Sequence, residues 1–181
     1  MLGKRKNIHF IGIGGIGMSG MAELLHNLGH TISGSDILES GRTDHLEKIG
    51  INIKIGHSEN NIRESDLVVY SSAVKGDNCE IQESKKMNIP VIKRAEMLGE
   101  LLKVKANSIA VAGTHGKTTT ASMLSIILNE SNHKPTLIVG GIVQEFQSNT
   151  VLGDGDTIIV EADEYDRTLL SLKPSMAVVT N

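Results

Sequence analysis

The residues best suited to chemistry lie in two glycine-rich loops. The second loop reads Gly113-Thr114-His115-Gly116-Lys117-Thr118-Thr119-Thr120. It follows the apolar stretch Ile109-Ala110-Val111-Ala112 and precedes the helical pattern Ala121–Leu128. Strand, loop, helix is the order a P-loop requires. Backbone N–H groups of such a loop wrap a polyphosphate, and the helix that follows points its positive end at it. Lys117 is then expected to reach the β- and γ-phosphates of ATP, and the Thr118 hydroxyl to hold Mg²⁺. Two features depart from the usual pattern: Val111 stands where glycine is expected, and Gly113 comes early. The plain alternative is a strand–turn–helix with a surface lysine.

An acidic run, Glu161-Ala162-Asp163-Glu164-Tyr165-Asp166, follows the apolar stretch Ile158-Ile159-Val160. Acids at the carboxyl end of a strand, on the same side as a P-loop, suit a metal that bridges nucleotide phosphates. Glu161 is the best placed, and Thr118 and Glu161 are the expected metal ligands. Lys117 and Glu161 are the expected catalytic residues. For Asp163, Glu164 and Asp166 a solvated helix start serves equally well.

The first loop is Gly12-Ile13-Gly14-Gly15-Ile16-Gly17, between the apolar run Ile8–Ile11 and the helical pattern that starts at Met18. Asp36 stands near the end of the next apolar stretch. This is the fingerprint of a dinucleotide or nucleoside-diphosphate site, with Asp36 accepting from a ribose or a base. A glycine turn that only lets helix and strand pack closely is the alternative. Weaker polar candidates are His57 after a strand, Ser71 and Ser72 after another, and Arg94 at a helix start.

The elements that must position these residues alternate between short apolar runs and amphipathic helical stretches. The expected class is therefore α/β with a mostly parallel sheet. A Rossmann-like domain is expected over residues 1–104, and an incomplete P-loop ATP-binding domain over 105–181. Strands are expected at His30–Ser35, Ile51–Ile55, Asp66–Tyr70 and Ile89–Ile92, with Pro90 marking an edge position or a strand start. Helices are expected at Arg42–Ile49, closed by Gly50, and at Arg94–Leu102. A third should start at Asp77-Asn78-Cys79-Glu80, a D-x-x-E cap, and run to Met87. Beyond the polar joint Lys103–Asn107, further strands are expected at Thr136–Val139, Thr157–Val160 and Met176–Thr180. Gly140-Gly141 and Gly153–Asp156 read as turns. A P-loop domain of about three or four strands is small, so the chain is expected to stop inside it at Asn181.

The 181 residues are 39% hydrophobic and 22% charged, the balance of a soluble globular protein. A net charge of −3 and only 2% aromatic residues, with no Trp, argue against a nucleic-acid surface. The single Cys79 excludes an intrachain disulfide and fits a reducing compartment. No apolar run is long enough to span a membrane. Lys4-Arg5-Lys6 before an apolar segment resembles a signal peptide only superficially, because glycines interrupt that segment. A cytoplasmic location is expected.

Together these motifs resemble the Mur ligases. The matching stretches are His9–Met18, Ser33-Gly34-Ser35-Asp36, Ser71-Ser72-Ala73, Arg94-Ala95-Glu96-Met97-Leu98, Gly113–Thr120 and Glu161–Glu164. Within the family they fit the members that add L-alanine to UDP-N-acetylmuramate. The resemblance implies three domains, of which the first and part of the second are present here. It assigns Gly12, Gly14, Gly15, Ile16, Gly17, Met18, Asp36, His57, Ser71, Ser72 and Arg94 to the UDP substrate. It assigns Gly113, Thr114, His115, Gly116, Lys117, Thr118 and Thr119 to ATP. The implied reaction is ATP-dependent activation of the lactyl carboxylate as an acyl phosphate, which the amine of L-alanine attacks, in peptidoglycan precursor synthesis. The family's Thr-Asn runs on into an Asp-His segment with a metal-holding His, so this stretch alone is expected to bind but not to catalyse. Tyr165 stands where many L-alanine-adding members have Ser, and the murein peptide-recycling ligase carries a similar Asp-Glu-Tyr-Asp run. Tripeptide recycling is therefore the close alternative. An NAD-dependent dehydrogenase and a non-catalytic nucleotide-binding fragment are the alternatives from other classes.

Overall fold

The computed structural model describes residues 2–4, 6–146, 148–162 and 172–181. Asp163, Glu164, Tyr165 and Asp166 lie outside the described residues. Contacts divide the chain into two units, Met1–Arg94 and Ala95–Asn181. The polar joint at Lys103–Asn107 is instead a short 3₁₀ turn, Leu102–Val104, leading into a strand. The division at Arg94 leaves no mark in the sequence, because strand Val91–Lys93 runs directly into helix Arg94–Leu101 with no loop between.

The first unit holds strands β1 (Asn7–Ile11), β2 (Thr31–Asp36), β3 (Asn52–Ile55), β4 (Leu67–Tyr70) and β5 (Val91–Lys93). Helices α1 (Ile16–Asn27), α2 (Gly41–Lys48) and α3 (Cys79–Lys86) connect them, and α4 (Arg94–Leu101), which from Ala95 on belongs to the second unit, follows β5. The sheet is wholly parallel in the order β3-β2-β1-β4-β5. Such an order reverses direction at β1, and the crevice beyond the carboxyl ends of β1 and β4 is where doubly wound sheets bind ligands. Buried on both faces, β1 shows the near-continuous apolar run of a central parallel strand. Side chains alternate between faces along it. Ile11 packs with Val68, Ile62 and Ile81 of α3. His9 shares that face, and register sets it beside Ser33 of β2.

Local signals set the helix ends. Ser40 caps α2 by accepting from the Thr43 N–H, and the Thr43 hydroxyl accepts from the Ser40 N–H, a reciprocal capping box. From sequence, Asp77 is the expected cap of α3. Asn78 holds that position instead, its side chain accepting from the Glu80 N–H at 2.9 Å. Glu80 is thereby released from capping, and its carboxylate turns inward.

The second unit holds β6 (Asn107–Ala112), α5 (Lys117–Glu130), β7 (Thr136–Val143), β8 (Ser148–Val151), β9 (Thr157–Glu161) and β10 (Met176–Val179). Among the described residues its sheet has five strands in the order β10-β6-β9-β7-β8, more than the three or four expected. The addition is β8, which pairs antiparallel with β7. Gly140-Gly141 is not a turn: both residues lie inside β7. Ala121 and Leu124 of α5 pack onto Ile109, Val111, Leu137, Val139 and Ile159 of the sheet. Among the described residues no helix is long and apolar enough to cross a membrane.

Gly34 shows how tightly the sheet fits the first loop. A Cβ there would stand 2.9 Å from the Phe10 carbonyl oxygen and 2.8 Å from Ile13 Cβ. Gly34→Ala should therefore cost about 1–3 kcal/mol through overpacking. Urea unfolding of the variant measures this, and an unchanged midpoint would show that Ile13 gives way freely.

Candidate functional site

The first loop and its neighbours frame an open cleft of about 740 Å³ at the carboxyl edge of the first sheet. Of the residues expected to bind there, Gly12, Gly14, Gly15, Asp36, His57 and Ser71 line it. Helix α1 starts at this cleft with no side-chain cap on Gly15, the arrangement that suits an anion at a helix N-terminus. Met18 belongs to the core, 2% exposed, so its side chain does not serve the cleft. Ile16, Gly17, Ser72 and Arg94 are not among the lining residues. Gly17 instead makes room for Arg94, whose guanidinium would stand 2.6 Å from a Cβ at that position.

Asp36 braces the loop itself. Its Oδ2 accepts from the Gly14 N–H at 2.7 Å, and its Oδ1 from the Ile37 N–H at 2.8 Å. The carboxylate thus clamps the glycine loop from below. Arg42 Nε donates to the Gly14 carbonyl at 2.6 Å, fixing the next peptide group, on the other side of the same residue. Arg42 and Lys75 bring positive charge to the cleft. Neither was singled out from sequence, since a lone cation in a polar stretch carries no pattern.

Beneath the cleft lies a buried polar network that the sequence did not disclose. Glu80, on α3, is fully buried. Its Oε2 accepts from the Ser35 hydroxyl at 2.6 Å, and its Oε1 from Asn61 Nδ2 at 2.6 Å and the Ser58 N–H at 3.2 Å. His57 Nδ1 stands 3.0 Å from Ser35 Oγ and 3.4 Å from Glu80 Oε2. His9, also fully buried, places Nδ1 2.9 Å from Ser33 Oγ and Nε2 3.6 Å from Glu80 Oε2. That last approach is electrostatic and too long for a hydrogen bond, and Nε2 has no hydrogen-bond partner among the described residues. Burial alone would push the Glu80 carboxyl up. The His9 ring, the Ser35 hydroxyl and the Asn61 amide overcome it and lower it from 4.5 to about 2.

The second loop is built on β6 and α5. Gly113 has φ +129 and abuts Thr180, a conformation and a space open only to glycine. Helix α5 has no side-chain cap at Gly116. Lys117 Nζ donates back to the Gly113 carbonyl at 2.7 Å. Register sets Glu161, at the end of β9, beside Val111 of β6. There its Oε2 accepts from the Thr118 hydroxyl and from the Gly140 N–H, each at 2.8 Å. Gly140 sits in β7 without a side chain, and a Cβ there would stand 3.4 Å from that carboxylate oxygen. Asn181 Oδ1 accepts from the Thr114 N–H at 2.8 Å and the His115 N–H at 3.2 Å. Thr180 donates its hydroxyl to the His115 carbonyl at 2.6 Å. Neither Thr180 nor Asn181 was foreseen as bracing the loop.

The Glu80 network predicts an acid-side stability profile. The folded-state carboxyl titrates below its ordinary value, so folding weakens its hold on a proton. Its contribution is fully present above about pH 4.5 and is lost as pH falls toward about 2, on the order of 3 kcal/mol in all. Glu80→Gln should flatten that acid limb. Urea midpoints from about pH 7 to about pH 2.5 measure it, and an acid limb of equal steepness in the variant would assign the loss to other carboxylates.

Residues 7–106 match the family model described as "Mur ligase family, catalytic domain". A UDP-N-acetylmuramate–L-alanine ligase of Xanthobacter autotrophicus is 50% identical over 97% of this chain and 37% of its own length. One from Aquifex aeolicus is 53% identical over 97% of this chain and 38% of its own. The crystal structure of UDP-N-acetylmuramate–alanine ligase from Thermotoga maritima superposes with a TM-score of 0.88 at 37% identity, covering 97% of this chain and 41% of that one. A ligase from Neisseria meningitides, named for UDP-N-acetylmuramate and L-alanyl-γ-D-glutamyl-meso-diaminopimelate, superposes at 0.86 with 29% identity, over 96% of this chain and 60% of that one. The chain thus spans about two-fifths of the length of the curated relatives it matches. With its family model, its fold and its two glycine loops in agreement, this chain belongs to the Mur ligase family.

Proposed function

We propose that this chain forms the UDP-substrate-binding part and some of the ATP-binding part of a ligase that joins L-alanine to UDP-N-acetylmuramate. The observation that carries the reading is the Thr118–Glu161 pair beside an uncapped glycine loop bearing Lys117. A hydroxyl and a carboxylate are hard oxygen donors of the kind that suit Mg²⁺, and these two residues would hold it. When bound, Mg²⁺ offsets the charge of the nucleotide phosphates. Lys117 would leave the Gly113 carbonyl for the β- and γ-phosphates of ATP. In the reaction, a lactyl carboxylate oxygen attacks the γ-phosphorus and ADP departs, leaving an acyl phosphate. The amine of L-alanine then attacks the acyl carbon, phosphate leaves, and the amine gives up a proton. Most of the rate in such chemistry comes from positioning and from charge neutralisation.

The first cleft would take the UDP substrate. A dinucleotide-binding dehydrogenase uses the acid after its second strand for the ribose diol. Here both oxygens of Asp36 already accept from backbone N–H groups, which favours a ligand that does not call on them. Between the two ligase readings, identity of 50% and 53% to L-alanine ligases, against 29% to the Neisseria meningitides ligase, favours L-alanine.

The test is thermal unfolding with each ligand. UDP-N-acetylmuramate should raise the transition of this chain and NAD should not, since a ligand stabilises only the state it binds. A hundredfold excess over Kd gives about 2.7 kcal/mol. Lys117→Ala should remove the stabilisation by MgATP and leave that by UDP-N-acetylmuramate intact. Equal protection by NAD would overturn the UDP assignment, and undiminished protection by MgATP in the variant would overturn the P-loop assignment.

A further inference from the structure

We propose that Glu80, a positioning residue acting through Ser35, fixes the proton of His57 on Nδ1, so that His57 meets the ligand in the first cleft with Nε2 as a hydrogen-bond acceptor. The ligand half of this rests on the nucleotide reading of that cleft; the proton half does not.

The hydrogens available around Glu80 decide the tautomer. The Ser58 N–H can only donate, and it meets Glu80 Oε1 at 3.2 Å. The Asn61 amide meets the same oxygen at 2.6 Å through its NH₂ group. A carboxylate accepts and does not donate. At 2.6 Å from Oε2, the Ser35 hydroxyl has therefore committed its one hydrogen to Glu80. Only lone pairs of Ser35 Oγ remain for His57 Nδ1, 3.0 Å away. Two lone pairs facing each other at that distance repel, so Nδ1 must carry hydrogen. The 3.4 Å approach of Nδ1 to Oε2 asks for the same proton. Which ring nitrogen bears hydrogen is set by the bond the other one makes. A neutral His57 is then bare at Nε2, the reverse of the preference of free imidazole side chains in water. His57 lines the cleft, with a side chain 19% exposed, and no partner for Nε2 occurs among the described residues.

A bare ring nitrogen selects a donor. In a uridine diphosphate the donors are the imide N3–H of the base and the ribose hydroxyls, and either fits the acceptor. A ligand that offers only lone pairs there would leave both acceptors unpaired and bind worse.

The experiment reads the ring nitrogens of His57 by ¹⁵N NMR at a pH where the ring is neutral, in this 181-residue chain. The expected result is a protonated Nδ1 and an unprotonated Nε2, with Nε2 moving on addition of UDP. Glu80→Gln offers an amide N–H to Ser35, which frees the Ser35 hydrogen to turn toward Nδ1. The proton should shift to Nε2 and the Kd for UDP should rise about tenfold, the loss of one hydrogen bond. Glu80→Asp, which keeps the acceptor, should restore the Nδ1 proton. Ser35→Ala should keep it too, because Nδ1 can then donate straight to Oε2. An Nε2–H ring in the unmutated chain overturns the proposal, whatever becomes of the variants. An Nδ1 proton that survives Glu80→Gln in a folded variant overturns the role of Glu80. Absence of UDP binding to the unmutated chain overturns the nucleotide reading, and the free-chain spectrum then decides the proton assignment alone.

Discussion

Parallel strands impose the constraint on which both units depend. A strand that pairs parallel with its neighbour must return through a crossover, so the carboxyl ends of the parallel strands share one edge and helices open there. Gly12, Asp36, His57 and Ser71 come from the ends of β1, β2, β3 and β4. Gly113 and Glu161 come from the ends of β6 and β9. Residues far apart in sequence are thus gathered by strand pairing alone. The two glycine loops are the same solution used twice: backbone N–H groups presented at an uncapped helix start.

What differs is how each loop is held. The first is tied by charge. Asp36 holds the Gly14 N–H and Arg42 the Gly14 carbonyl, so the two peptide groups flanking one glycine are fixed by opposite ions. The second is tied by neutral groups from β10, with Thr180 and Asn181 bonded to the residues between Gly113 and Gly116. Its charged residues are kept close to where phosphate chemistry would need them, Lys117 against a loop carbonyl and Glu161 against Thr118. Charge spent on holding a loop is unavailable to a ligand, and the second loop spends little.

The parts legible in the sequence were those with a local pattern. Glycine spacing, apolar runs and the Lys117-Thr118 pair disclosed both loops and the α/β class, because each feature is written within a few residues. Glu161 was found because it ends an apolar run. Glu80 was not, because its local context reads as a helix cap, and only pairing of β1 with β2 and packing of α3 show its partners. Its one trace is polarity on alternate positions, His9 in β1 with Ser33 and Ser35 in β2, which marks a polar face inside a buried sheet. Gly140-Gly141 misled for a related reason. Paired glycines usually signal a turn, but here the missing side chain lets a strand N–H reach Glu161.

The attachment of β10 has a consequence for motion. Among the described strands, β10 is an outer one, joined to β6 along one side only. Ser175 clasps Ser108 before the strand begins, and Thr180 and Asn181 hold the second glycine loop where it ends. The amide hydrogens of Thr114 and His115 are therefore sheltered by a side chain that travels with β10. Their hydrogen exchange is coupled to local opening of that strand, so fraying of an outer strand is felt as loss of protection in the middle of the second glycine loop.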